Sequence, residues 1–215
     1  MVIRSLRKFQ GQLGQLLCVV FFLVSPISHA NEQATSSRAT RSSTTTTHLV
    51  TVGVCRFHLD DSLGGWIHEY PKQDIPSATY HAELKRTKLP AAVAVDFFCD
   101  TKGESEICRE FCRIEKKGAH WMKWLHPDPD YRDPPEAHFT LREIKSINGK
   151  GAVSTKDETI GDEKTRARRL SFCLISPDGN VLIGKAVVDR LQGNLRREEK
   201  EVIKLLETIE FIESR

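Results

Sequence analysis

Apolar and polar residues follow two rhythms along this chain, and the places where a rhythm breaks set its boundaries. Near the start, Leu16 to Val24 is an unbroken run of nine apolar residues. Arg4, Arg7 and Lys8 precede it, and Ser28 and Ala30 supply small residues where a signal peptidase reads them. This is the pattern of a secretory signal peptide over 1–30, cut before Asn31. The run is short of the roughly 20 apolar residues that span a bilayer. Residues 34–47, ATSSRATRSSTTTT, hold nothing to bury, which predicts a disordered Ser/Thr-rich linker over 31–47. The rest, 48–215, is long enough for a single domain with its own core.

Within that domain a Val-rich alternation predicts a strand over 49–59, closed by Asp60, Asp61, Gly64 and Gly65. ATYHAELKRTK at 78–88 predicts a short helix stopped before Pro90, and AAVAVDFFC at 91–99 a buried strand. In ESEICREFCRIE (104–115), Ile107, Phe111 and Ile114 fall at helical spacing, while Cys108, Glu110, Cys112 and Ile114 alternate, so helix and strand both stay open. Four prolines make 127–135 a loop. Phe139, Leu141, Ile144 and Ile147 mark a further strand region, and the polar stretch 148–165 predicts a long loop. RLSFCLIS (169–176) and VLIGKAVV (181–188), joined by Pro177-Asp178-Gly179-Asn180, form a β-hairpin pattern. Val202, Leu205, Leu206, Ile209 and Ile212 then give one apolar face to a helix over 196–213. The expected fold is α+β: an antiparallel sheet covered by helices, ending in a β-hairpin followed by an amphipathic C-terminal helix.

Charge narrows the partners. The 215 residues carry 32 Lys and Arg against 29 Asp and Glu, and three of the basic residues lie in the first thirty, which have no acid. The remainder is balanced, 29 against 29, so a nucleic-acid partner is not expected. A single apolar run argues against stable membrane insertion after cleavage. There is no Gly-rich phosphate loop, no G-x-S-x-G, no H-E-x-x-H, and the seven histidines of the mature chain form no short ligand pair. No catalytic residue and no cofactor is therefore assigned, and the protein is read as a non-enzyme.

Cysteine carries more. Cys18 leaves with the leader, and Cys55, Cys99, Cys108, Cys112 and Cys173 remain. An exported chain meets an oxidising compartment, so disulfides are the default. Five is odd, and spacing alone cannot choose among the pairings. Our expectation is Cys55–Cys173, with Cys99 joined to Cys108 or Cys112. The rival is a zinc site from Cys99, Cys108, Cys112 and His120, although only Cys108 and Cys112 have the close spacing such sites favour. Beside them, Trp121, Trp124 and Tyr131 fall within eleven residues next to the proline loop, together with Asp128, Asp130 and Asp133. Aromatics on a stiff loop make binding hot spots; the alternative is that the same tryptophans plug the sheet edge or core, where aromatics dominate.

Two segments resemble a known family. One is Val54-Cys55-Arg56-Phe57-His58-Leu59-Asp60. The other comprises Phe172-Cys173-Leu174, Leu182-Ile183-Gly184 and the terminal Leu205-Leu206-Glu207-Thr208-Ile209-Glu210-Phe211. Together they resemble the periplasmic immunity proteins that neutralise phospholipase toxins delivered by the bacterial type VI secretion system, and the end of the chain resembles the PsbP/Mog1-like α+β fold. The resemblance implies a periplasmic or secreted protein whose partner is another protein, such as a lipase-type toxin, blocked by occlusion. Trp121, Trp124, Tyr131, Asp128, Asp130 and Asp133 are the expected contacts. The alternative classes are an exported enzyme or zinc-dependent protein using the Cys/His cluster, and a structural envelope component.

Overall fold

A computed structural model describes residues 45–84, 91–101, 104–128, 130, 134, 137–191 and 198–213. The leader 1–30 and nearly all of the linker lie outside them. Residues Ser42–Arg215 form one compact unit.

The fold is mainly β, which corrects the α+β expectation. Strands hold 54% of the described residues and helices 12%. The first correction lies at 49–59, where two strands replace one. β1 (Thr46–Val52) and β2 (Cys55–Asp61) are antiparallel, with Val52 opposite Cys55. Gly53 has φ 56°, the glycine-first geometry of a two-residue hairpin, and an alternation that runs unbroken through the turn hides it. β3 (Trp66–Tyr70) follows. β4 (Ser77–Leu84) takes the place of the helix expected over 78–88. Its Ala78, Tyr80 and Ala82 are buried at period two, so burial on one sheet face overrides the helix propensity of Ala, Glu and Leu.

β5 (Ala91–Asp100) is the strand expected there, but only one face is buried, with Val93, Val95 and Phe97 inside and Ala92 and Ala94 exposed, and α1 (Glu104–Cys112) resolves the helix-or-strand ambiguity as helix. β6 (Ile114–Lys117) and β7 (His120–Lys123) form a small hairpin. β8 (Phe139–Lys145) pairs with β9 (Lys150–Asp157), which occupies much of the expected loop 148–165. β10 (Ala167–Ile175) and β11 (Val181–Arg190) make the expected hairpin, closed by Ser176 N–H to Asn180 O at 2.9 Å and Gly179 N–H to Ser176 O at 3.0 Å. α2 (Glu198–Glu207) is shorter than the periodicity predicts, because Glu210–Phe211 leaves it as β12 and pairs with β2.

The central layer is a seven-stranded antiparallel sheet in the order β3-β4-β5-β11-β10-β9-β8. One face is covered by the three-stranded sheet β1-β2-β12 together with α2. Helices alone do not cover it, because a β1–β2 hairpin with one apolar row is as good a lid as an amphipathic helix. Phe211, Phe57, Phe97 and Phe172 form a chain of ring contacts through this core, at centroid separations of 6.2, 5.6 and 5.7 Å. The opposite face carries α1 and Ile114, packed on Ala152, Cys173, Val181 and Ile183.

Candidate functional site

The cysteines staple these layers. Cys55 of β2 bonds Cys99 of β5, joining the small sheet to the large one. Cys108 of α1 bonds Cys173 of β10, joining the helix to the other face. The pairing Cys55–Cys173, with Cys99 to Cys108 or Cys112, is therefore corrected. Cys55 and Cys173 serve opposite faces, since neighbouring strand residues alternate: Phe172 faces the Phe57 core and Cys173 the α1 core. The zinc set fails for the same reason. Cys99 and Cys108 are committed to different disulfides, and among the described residues no group of three or more His, Cys, Asp or Glu could hold a metal.

Cys112 is the free thiol, buried one helical turn after Cys108, with its Sγ donating to Phe172 O at 3.1 Å. Burial pushes its thiol far above the ordinary range, the opposite of an activated nucleophile. The folded mature chain (31–215) should leave a thiol reagent unconsumed at pH 8 and release one reactive thiol per chain in denaturant without reductant. Rapid labelling in the native state would contradict this placement.

Asp61 is the most heavily hydrogen-bonded acid described. It is 3% exposed and accepts from the amides of Leu63 (2.9 Å), Gly64 (2.9 Å) and Gly65 (2.6 Å), from the Tyr80 hydroxyl (2.5 Å) and from His48 Nε2 (3.4 Å). Burial raises its carboxyl pKa, but the donors led by Tyr80 outweigh that and hold it below the usual carboxylate range. Tyr80 is driven far up by burial and by this acceptor. Each of these contacts is internal, so Asp61 organises the turn between β2 and β3. Sequence reading places it only as a turn residue.

The predicted aromatic segment is brought together in part. α1 ends at Arg113, a non-glycine residue at φ 56°. Its amide donates to Arg109 O at 3.1 Å, and its carbonyl accepts Trp124 N–H at 2.9 Å. The Arg113 guanidinium lies over the Trp124 ring, 5.5 Å from its centroid, and the His126 ring meets the other ring edge-on at 5.2 Å. Trp121 packs against the α1 core, and Glu143 Oε1 of β8 accepts its amide at 3.2 Å. The tryptophans anchor the hairpin, and the residues between and after them are exposed. Met122 is 40% and Leu125 68% solvent-exposed. Asp128 and Asp130 lie on the following exposed loop, where Asp128 Oδ1 accepts the Asp130 amide at 3.0 Å. Tyr131 and Asp133 lie outside the described residues.

Beneath the hairpin runs a cavity of about 600 Å³. Lys116 and Trp121 wall one side, Glu143, Lys145 and Lys150 another, and Glu207 at the end of α2 also lines it. No family model, curated protein or solved structure matches the chain. Sequence reasoning missed the lysines and both glutamates of the cleft, because 148–165 reads as loop and the pairing of Lys145 with Lys150 becomes visible only once β9 is a strand. It also missed a second exposed aromatic surface on β3 and β4, where Trp66 stacks on His81 (5.4 Å) and His68 meets Tyr70 (4.4 Å); the alternation of Trp66, His68 and Tyr70 was its only signal.

Two disulfides fit a chain matured in an oxidising compartment, and among the described residues no helix is long and apolar enough to cross a membrane.

Proposed function

We propose that this is an exported, non-enzymatic binding protein that engages a protein partner through the β6–β7 hairpin and the loop after it. The observation that supports this is the hairpin's construction. Its base is held by the Arg113–Trp124 contacts and by Glu143, while Met122 and Leu125 present apolar side chains to solvent. A fixed backbone with exposed apolar side chains loses little entropy on docking, which is where binding energy is otherwise lost. The finer reading is a periplasmic or secreted immunity-type inhibitor that occludes the active cleft of a toxin or hydrolase. It rests on the signal-peptide pattern, the two disulfides and the family resemblance.

The test uses the oxidised mature chain, tagged and mixed with the secreted and envelope proteins of its source. The expected result is one stoichiometric partner whose hydrolytic activity falls on binding. The double variant M122A/L125A should weaken that complex at least tenfold, since apolar anchors carry most of an interface's energy. Its unfolding midpoint should stay close to that of the parent, because both side chains are exposed. Equal retention of the partner by parent and variant would overturn the assignment of the hairpin.

A further inference from the structure

We infer that the cleft under the β6–β7 hairpin is an anion site that takes the acidic side chains of a peptide segment. This rests on the reading of the hairpin as a protein-docking element and names the chemistry of its partner. Lys145 and Lys150 are directly opposite one another across the antiparallel β8–β9 pair. Like charges at that position oppose strand pairing. Among the described residues neither lysine has a carboxylate within ion-pairing distance, and Lys116 of the facing hairpin lines the same cavity.

The lining sets three lysines against two glutamates, and of those only Glu207 is neutralised by a cation of its own among the described residues. Glu143 Oε1 accepts the Trp121 amide at 3.2 Å, and Glu207 Oε1 pairs with Arg142 at 3.5 Å.

The lysines cannot relieve their repulsion by letting the hairpin splay, because its tip is tied down. Ile147 N–H donates to Ile209 O at 2.9 Å. Asn148 Nδ2 donates to Phe211 O at 2.8 Å, and Asn148 Oδ1 accepts the Phe211 amide at 2.8 Å. Two cations on directly opposite strand positions line one cavity of about 600 Å³ with a tryptophan, and an anion bound between them offsets their repulsion. Lysine supplies point charges without the planar fork of arginine, so the site suits several separate carboxylates more than one bidentate group. The indole of Trp121 supplies apolar surface for the intervening side chains. A partner that grips the hairpin meets Met122 on one face and this cleft behind the other, since Met122 and Trp121 point to opposite sides of β7.

The test titrates the oxidised mature protein with hexaglutamate, and with hexalysine and inorganic phosphate as controls, by calorimetry at low and high salt. The expected result is saturable binding of hexaglutamate, weakened as salt rises, with no binding of hexalysine. In K145A/K150A that affinity should drop at least tenfold while the unfolding midpoint holds or rises. No saturable binding, or equal affinity in the variant, overturns the inference. Phosphate bound as tightly as hexaglutamate would also overturn it, by marking a small-anion site. If K145A/K150A retains the natural partner at parental affinity while M122A/L125A loses it, the cleft falls and the docking hairpin stands.

Discussion

Asp61→Ala should cost about 3–5 kcal/mol of folding stability, the largest single loss we expect from any side chain of this protein. The size follows from what is left behind. The Tyr80 hydroxyl and the Leu63, Gly64 and Gly65 amides all donate to this carboxylate. An abandoned buried donor costs about 1–3 kcal/mol, though donors near the surface recover water. Asp61→Asn should cost less, about 2 kcal/mol, because the amide oxygen can still accept while its NH2 group opposes a backbone N–H. Tyr80→Phe should cost about 1–2 kcal/mol, since it removes one donor and leaves the amides in place.

The pH dependence fixes the mechanism. Asp61's folded pKa is depressed, so its contribution is complete above the ordinary carboxylate value and is lost as pH falls through the folded value. Parent and Asp61→Asn should differ most near pH 7 and converge in strong acid. Urea unfolding of both proteins from pH 7 down to the acid limit reads this directly. A gap that stays constant with pH would show that the charge of Asp61 contributes nothing.

How much of this could be read from the residues depends on which force governs each segment. β5 and the β10–β11 hairpin followed by α2 were legible because a local pattern and the tertiary solution agree there, whereas both periods fit 104–115 and only the structure makes α1 a helix. Phe172 and Leu174 alternate with Cys173, and the Pro177–Asn180 turn has no competing use. β4 was not legible, since Ala78 to Leu84 is locally a helix and becomes a strand only because β3 and β5 flank it. β12 is set by a contact of the same kind: Phe211 is pulled out of a helical period by its place opposite Phe57. Together with the β1–β2 hairpin read as one strand and β9 read as loop, these errors turned a mainly-β protein into an expected α+β one. The candidate site divides the same way. Trp121 and Trp124 declared themselves by composition, but the cleft needs the register of β8 against β9, and no single segment contains that register. The disulfides illustrate the point at the level of one atom. Cys173 was assigned to the wrong partner because sequence spacing does not say which sheet face a strand residue occupies.

That assignment of faces yields the second large effect. Each disulfide holds one covering layer on the seven-stranded sheet, so the two should fail differently. In the chain-entropy picture a bridge closing 44 or 65 residues stabilises by about 4 kcal/mol. Two such bridges rival the roughly 5–15 kcal/mol that a domain has in total. The reduced chain should therefore unfold at far lower urea than the oxidised one.

The double variants separate the contributions. C55A/C99A removes the staple through the larger core, where Phe57, Phe97 and Phe172 meet, and should lower global stability by about 4 kcal/mol. C108A/C173A releases α1, a nine-residue helix too short to persist alone, and the β6–β7 hairpin leans on it through Arg113 and Trp121. Local opening should then precede global unfolding. Amide hydrogens of α1, β6 and β7 should exchange early while those of β5, β10 and β11 stay protected. The same variant should lose partner binding before it loses its main core, as the proposed docking element rests on that helix. Hydrogen exchange resolved by segment, run on both variants under non-reducing conditions, decides it. Uniform loss of protection in C108A/C173A would mean that the two faces of the sheet fold as one unit, and that the hairpin is a part of the core rather than a surface mounted on it.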